Sequence, residues 1–290
     1  MNQDRYSRQS FLGKSSQAIF ESVTVGVVGL GGGGSHVVQQ LTHIGFKRYE
    51  LFDADVVDES NLNRLVSATV EDAADENKRT KCFVAERRIR SLQPNAIINS
   101  NICNWQQAMD SLKRCHLVFG CVDSFLDRDQ LERFTRRYLI AYIDIGMDVN
   151  IGTDGQLVMG GQVITSLPGC ACMRCMGFIT DDLLSREAQK YGDAGDRPQV
   201  VWPNSVLAST DIGIGVGVGV GVGLLTNWTQ RAAVLVYLEY DGTKSTIRDL
   251  SSRFENKPCQ HYKPQDVGEV VFSLRPKQEI GLWYKIRKWG

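Results

Sequence analysis

The stretch VTVGVVGLGGGGSH at Val23–His36, followed by YELFDADVV at Tyr49–Val57, constrains the fold more than any other part of the chain. Val23 to Val28 is a short, β-branched apolar run, and Gly29, Gly31 and Gly34 follow it at G-x-G-x-x-G spacing. A strand that turns at once into a helix needs residues without Cβ at such positions, and the turn leaves backbone N–H groups free for an anion. Val37, Val38, Leu41 and Ile44 then recur at helical spacing. That helix packs on the sheet while its N-terminus, with its positive partial charge, points at a phosphate. Asp53 ends the next apolar run, where a carboxylate can accept hydrogen bonds from a ribose. A glycine loop alone is weak, because NAD-dependent dehydrogenases open in the same way; strand, loop, helix and acidic strand end together predict a nucleotide-binding βαβ unit.

The pattern continues. Cys82, Ala85, Ile89 and Leu92 form a second helical stripe, ended by Pro94, and residues 96–100, 117–122 and 140–145 read as strands. Strands alternating with helices predict an α/β fold, a Rossmann-like, mostly parallel sheet with helices on both faces and a ligand crevice at the strand ends. From Gly152 the run GTDGQLVMGGQVITSLPG alternates between glycine turns, and it predicts antiparallel strands extending the sheet in the C-terminal half. Residues 1–265 are expected to form one unit with an N-terminal arm and a crossover segment, and residues 266–290 a basic, aromatic tail or small appendage. Gly213–Gly223, GIGVGVGVGVG, alternates like a strand, yet as a helix it would present glycines four apart for close packing. Its apolar run is too short for a membrane span.

Charge narrows the partners. With 33 basic against 33 acidic residues the chain has no net field to attract nucleic acid or an acidic membrane, so a protein partner is recognised by a local patch. No signal peptide precedes Arg5, and cytoplasm is the expected compartment.

After Asp53 the chain places Asp55, Ser60, Asn61, Asn63 and Arg64, then Lys81 near a helix start, and later Asp123 in HLVFGCVDS. These are triphosphate-handling groups; an oxidoreductase using NAD would give Arg64 and Lys81 no task. In this register, over roughly residues 5 to 260, the sequence resembles the superfamily of ThiF, MoeB and the ubiquitin-activating enzymes. The resemblance implies that Gly31 and Gly32 offer backbone contacts, that Asp53 holds the ribose, and that Asp55, Ser60, Asn61, Arg64 and Lys81 line the adenosine and phosphates of ATP. It implies that Asp123 holds Mg²⁺, with Ser124 where an asparagine often follows, and that Arg8 in RYSRQ reaches the ATP of a partner subunit, making a homodimer. Singly, each has a plainer reading: Asp55 and Arg64 as a surface ion pair, Lys81 as a solvated helix residue, Asp123 as a helix cap.

The implied reaction is ATP-dependent adenylation of the C-terminal carboxylate of a ubiquitin-like protein, for onward transfer to a conjugating enzyme, with a bacterial antiphage pathway as one setting. A sulfur-carrier protein of the thiamin or molybdopterin type, or a peptide, is the alternative substrate. The crossover segment, Asp181–Ser209, contains no cysteine to take a thioester. Direct attack by a partner's thiol, a hydroxyl such as Ser205 or Ser209, and Cys170 all remain open for the second half-reaction.

A C-x-x-C knuckle at Cys172 and Cys175 reads as a zinc site rather than a disulfide. Members of the superfamily commonly supply a second C-x-x-C pair, absent here; Cys259 and His261 are expected to replace it, with Cys170 as the alternative ligand. Cys82, Cys103, Cys115 and Cys121 read as buried structural thiols.

Overall fold

The computed structural model describes residues 3–13, 15–76, 78–151, 155, 157–190, 237–241, 244, 246–255, 257–263 and 266–268. Gly213–Gly223, Ser205, Ser209 and residues 269–290 lie outside the described residues. Eight strands are present: β1 (Thr24–Val28), β2 (Arg48–Phe52), β3 (Ile97–Asn101), β4 (Leu117–Gly120), β5 (Ala141–Ile151), β6 (Leu157–Ser166), β7 (Tyr237–Asp241) and β8 (Thr246–Asp249). They form one sheet in the order β3-β2-β1-β4-β5-β6-β7-β8. The pairings from β3 through β5 are parallel, and those from β5 through β8 are antiparallel. The α/β fold expected from the alternating pattern is therefore present, including its antiparallel extension.

The helices are α1 (Ser16–Ser22), α2 (Gly32–Ile44), α3 (Val70–Ala73), α4 (Lys81–Leu92), α5 (Met109–Leu112), α6 (Phe125–Arg137) and α7 (Asp181–Lys190). Alternate strand residues face opposite ways, and the two faces are covered by different helices. Val25, Val27, Leu117, Phe119, Ile143 and Ile145 pack with Val37, Val38, Leu41 and Ile89 of α2 and α4 in one core. Val28, Val118, Tyr142 and Ile164 pack with Leu131 and Phe134 of α6 in the other. Gly26 faces this second core, where an added Cβ would lie 2.9 Å from Cys115 Sγ.

Two strand limits differ from the sequence reading by more than one residue. β4 ends at Gly120 rather than running to Val122: Val28↔Gly120 is its last pair with β1, closed by the Cys121 N–H to Val28 O bond at 2.8 Å. β5 runs on to Ile151, well past Ile145, because its antiparallel register with β6 continues from Tyr142↔Ser166 to Ile151↔Leu157.

α6 buries charge as well as apolar surface: Arg128, Asp129, Glu132 and Arg136 are all buried. A buried charge is costly unless paired, and each of these is. Arg128 pairs with Asp144, which is 0% exposed and also accepts from Tyr142 Oη (3.0 Å) and Gln162 Nε2 (3.1 Å). Glu132 accepts from Ser166 Oγ (2.6 Å) and the Met173 N–H (2.9 Å), and Asp129 accepts from Arg174 (2.6 Å). The loop that carries Cys172 and Cys175 is thus fastened to α6.

Candidate functional site

β1 has β2 on one side and β4 on the other, so consecutive crossovers leave in opposite directions from its C-terminal edge, where open α/β sheets bind ligands. The glycine loop lies at that edge. Gly29 has φ +84°, and a Cβ there would stand 2.4 Å from Cys121 O, so the turns after β1 and β4 touch through a position only glycine can fill. A Cβ on Gly34 would stand 1.8 Å from Gly29 O, which fixes the third glycine by helix–strand contact. Gly31 differs: nothing lies within 4 Å of its missing Cβ, and as the residue before α2 it supplies no side-chain cap. The first turn of α2 is left open, with N–H groups that have no intrahelical partner.

Asp53 follows β2 and holds this edge in place: its Oδ2 accepts the Leu30 N–H at 2.7 Å and its Oδ1 the Asp55 N–H at 2.9 Å. Burial pushes its carboxyl above the ordinary value, and the Lys81 charge with the two amides opposes this. Lys81 is the first residue of α4, which Thr80 caps by accepting the Phe83 N–H at 3.1 Å. The Lys81 side chain is 12% exposed and reaches Asp55 Oδ2 at 2.6 Å, while its N–H bonds Asp55 O at 3.0 Å. A solvated helix lysine is therefore the wrong reading of Lys81.

Arg64 is not Asp55's ion-pair partner. Its Nη1 donates to Ser60 O (2.7 Å) and Asn63 Oδ1 (2.9 Å), and its stem crosses Gly32, whose added Cβ would lie 3.2 Å from Arg64 Cδ. Ser35 Oγ ties the same segment to α2 by accepting the Val66 N–H at 3.1 Å. Ser60 is exposed, and Asn61 closes a reciprocal cap with Asp58 on the 3-10 turn Glu59–Asn61. Gly31, Gly32, Asp53, Asp55, Ser60, Asn61, Arg64 and Lys81 thus fall on the loop after β1, the segment after β2 and the start of α4.

Asp123 is exposed in the turn between β4 and α6. It does not cap that helix; Ser124 does, accepting the Asp127 N–H at 3.2 Å. Ser124 Oγ also donates to Glu187 Oε2 (3.3 Å), so its side chain is committed to the helix end. Glu187, on α7, is a residue that motif spacing does not reveal.

Arg8 lies elsewhere. Its neighbour Gln9 donates to Ile44 O at 2.8 Å, and Tyr6 accepts from Gln93 Nε2, which places the N-terminal segment against the C-terminal ends of α2 and α4. α2 has 13 residues, so it is about 20 Å long and Arg8 is beyond reach of the glycine loop in its own chain.

Cys172, Cys175, Cys259 and His261 gather with their ligand atoms all within 4.8 Å of one another; Cys170 is outside the group. His261 Nδ1 is 3.3 Å from Cys172 Sγ and 3.2 Å from Cys175 Sγ, and Cys175 Sγ is 3.6 and 3.9 Å from the sulfurs of Cys172 and Cys259. Tetrahedral zinc with thiolate bonds of about 2.3 Å needs sulfurs about 3.8 Å apart, so the donor set fits. Burial pushes the Cys172 thiol up. Burial opposes ionisation of Cys175 too, but hydrogen bonds from the Gln260 and Cys172 backbones and from His261 bring it down to about 6. A cavity of about 440 Å³ beside the cluster is lined by arginines, among them Arg133, Arg136 and Arg174. Asp129, Glu132 and Asp181 pair with these cations, which makes the region a brace for α6 rather than an anion site.

Of the remaining cysteines, Cys82 and Cys115 are buried as expected, whereas Cys103 and Cys121 are only partly so. Both lie outside strands and helices, and Cys121 packs against the first core from its edge. Among the described residues, no helix is long and apolar enough to cross a membrane.

Comparison with known proteins agrees with this geometry. The sequence is 25% identical over 170 residues to ubiquitin-like modifier-activating enzyme 5 of Dictyostelium discoideum, covering 53% of this chain and 42% of that protein. It is 29% identical over 184 residues to the sulfur carrier protein adenylyltransferase of Thermus thermophilus, covering 60% of this chain and 63% of that protein. The chain therefore spans less than two thirds of these curated relatives. The fold is shared with E. coli MccB, solved with ATP, at a TM-score of 0.66 and 17% identity over 86% of this chain and 72% of that one. The ThiF family model matches residues 5–261, and with the glycine loop, strand ends and eight-stranded sheet in register, the chain belongs to the ThiF family.

Proposed function

We propose that this protein is an adenylyltransferase that activates the C-terminal carboxylate of a small ubiquitin-like or sulfur-carrier protein with ATP. The observation that carries this reading is the edge of β1 and β2. An uncapped helix N-terminus of glycines, the partly buried Asp53 and the Lys81–Asp55 pair meet there at the topological switch of the sheet. The relatives are activating enzymes and adenylyltransferases, which supports this chemistry over hydride transfer.

In the reaction a carboxylate oxygen of the carrier attacks the α-phosphorus, the bond from that phosphorus to the bridging oxygen breaks, and pyrophosphate leaves with the electron pair. The nucleophile is already ionised at neutral pH, so the chain need supply no general base. What it must supply is position and charge. The free N–H groups at the start of α2 would hold phosphate oxygens, Asp53 the ribose, and Lys81 with Arg64 the negative charge that grows on the leaving group. Asp123 would hold Mg²⁺, which when bound neutralises and aligns the phosphates. The Arg8 side chain, too far from its own loop, would serve the site of a second copy, so the working form is a homodimer.

The Cys172, Cys175, Cys259 and His261 group would hold zinc as a structural ion, with all four positions filled by protein. Onward transfer is to a thiol on a separate conjugating enzyme, since the crossover sequence offers no cysteine. A bacterial ubiquitin-like pathway, antiphage defence among them, would use that step, whereas a sulfur-carrier pathway would replace it with a sulfur donor.

ATP–pyrophosphate exchange tests the first half-reaction. Exchange that depends on a small protein ending in glycine and is lost in Asp123→Ala is the expected result. Exchange that survives in Asp123→Ala, or none with any candidate carrier of either kind, would sink the reading.

A further inference from the structure

Asp123 stands on a turn of which both flanks are held by buried charged side chains that motif spacing does not assign. On the strand side, Arg128 Nη2 donates to Val122 O at 2.5 Å while Nη1 of the same guanidinium pairs with Asp144. On the helix side, Glu187 reaches in from α7, only 8% exposed. Its Oε1 accepts the Phe125 N–H at 3.1 Å, and its Oε2 accepts the Leu126 N–H at 2.9 Å and the Ser124 hydroxyl at 3.3 Å.

Ser124 already caps α6 through the Asp127 N–H, which is all that most helices receive. A second acceptor, brought 62 residues along the sequence and buried as a carboxylate, is more than capping requires. α7 is itself fixed at its start, where Arg174 bonds Asp181 at 2.8 Å. The outcome is that the first three N–H groups of α6 are taken, by Glu187 and by Ser124. Those N–H groups already have acceptors, so this end does not offer them to a phosphate.

We propose that Glu187 is a positioning residue for Asp123: by filling the N-terminus of α6 it fixes the Val122–Ser124 turn, so that the Asp123 carboxylate, not the helix amides, is what this edge offers to the metal–nucleotide complex. The inference rests on the reading of Asp123 as the Mg²⁺ ligand. The Glu187 carboxylate is bonded to the Ser124, Phe125 and Leu126 groups, so it would act through the turn.

The test uses the full chain as wild type, Glu187→Ala and the near-isosteric Glu187→Gln, each checked for a cooperative melting transition. Mg²⁺ is titrated into ATP–pyrophosphate exchange, and ATP binding is measured both in EDTA and with Mn²⁺ as the metal probe. Glu187→Ala is expected to raise the half-saturating Mg²⁺ concentration by about 10-fold or more, the usual range for partners that orient a metal ligand. ATP affinity in EDTA should stay the same. Glu187→Gln, which keeps one acceptor for the Leu126 N–H, should fall between. An unchanged Mg²⁺ half-saturation in either folded variant overturns the inference. Equal losses of binding with and without metal also overturn it, because they mark Glu187 as a brace of the whole edge. Should Glu187→Ala fail to fold, Glu187→Gln decides on the same two readouts. The prior reading fails separately: a wild type that binds no ATP with any metal, or whose metal-dependent binding ignores Asp123→Ala, removes Mg²⁺ from this turn before Glu187 is considered.

Discussion

Two helices begin at the C-terminal edge of the parallel strands, and their first turns are finished in opposite ways. α2 starts at glycines with no side-chain cap, beside a position where even a Cβ would meet nothing. α6 starts with Ser124 and Glu187 occupying its N–H groups. Both ends have the same macrodipole, so dipole alone does not determine where an anion goes. On the proposed reading occupancy determines it: the open end would be left for phosphate, and the filled end would present a carboxylate, Asp123, to a cation. A triphosphate chelating a metal needs both kinds of end close together, and the touch of Gly29 on Cys121 O brings the two turns together.

The largest effect is expected where the open end depends on backbone contact. Gly34→Ala puts a methyl 1.8 Å from Gly29 O, a neighbour that cannot rotate away. The variant should lose at least about 3 kcal/mol of stability, at the high end for a point substitution, with ATP binding lost as well. Thermal denaturation with ATP titration checks both; a stable Gly34→Ala that binds ATP breaks the account of the loop. Gly31→Ala is its control, since there is space for the methyl, and it should melt like wild type.

The difference between the two ends also separates what could be read from sequence from what could not. The positions of the glycines, Asp53, Asp55 and Asp123 were legible because each lies within a few residues of a strand end, and apolar periodicity locates strand ends; Lys81 was placed instead by the helical stripe of α4, which begins beside it. The Cys172, Cys175, Cys259 and His261 grouping was legible because thiolate and imidazole chemistry leaves few partners for a lone knuckle. Glu187 was not legible: a carboxylate in DDLLSREAQK looks like any solvated helix residue until α7 is seen beside α6. Nor was the buried face of α6, since FLDRDQLERF scans as an exposed charged helix while its partners Asp144, Ser166 and Met173 are on other elements. Apolar periodicity marks burial by transfer free energy and misses burial made possible by ion pairing. The lengthened β5 has the same cause in another form, because pairing with β6 set its end, not its own composition.

Metal removal should fall unequally on the two ends. Glu132 on α6 accepts the Met173 N–H, one residue from Cys172, so the cluster braces α6 and not the open end of α2. Cys172→Ser, or chelation, is expected to empty the site of zinc and to lower the melting temperature by more than Gly31→Ala does, since about 10 kcal/mol of apparent metal-binding free energy can be coupled to folding at such sites. Hydrogen exchange would locate the change: protection should fall in α6 and β6 and persist in α2 and β1. Uniform loss across both would mean that the two faces of the sheet are one cooperative unit.

A change confined to chemistry is expected at Lys81. Its ion pair with Asp55, whose side chain is 68% exposed, contributes little to folding, within about 1 kcal/mol for pairs open to water. Removing a cation from developing charge on the leaving group typically costs about 10²–10³ in rate. Lys81→Ala should therefore keep its melting temperature and lose exchange activity by that factor. A fall in stability larger than in rate would return Lys81 to a purely structural role.

The smallest effect tests the filled end itself. Ser124→Ala deletes the acceptor for the Asp127 N–H, a loss of about 1 kcal/mol for a helix cap. It also removes the Ser124 hydroxyl bond to Glu187 but leaves Glu187 bonded to the Phe125 and Leu126 N–H groups, so two of the first three N–H groups of α6 keep their acceptor. Stability should drop by that amount in denaturant melts, while the Mg²⁺ requirement for exchange stays within about twofold of wild type, far short of the tenfold expected from losing an orienting partner. If Ser124→Ala instead shifts the Mg²⁺ requirement as far as Glu187→Ala, the hydroxyl itself belongs to the metal–nucleotide site. The filled end would then differ from the open one in having a side chain there, and no longer in being closed to ligand.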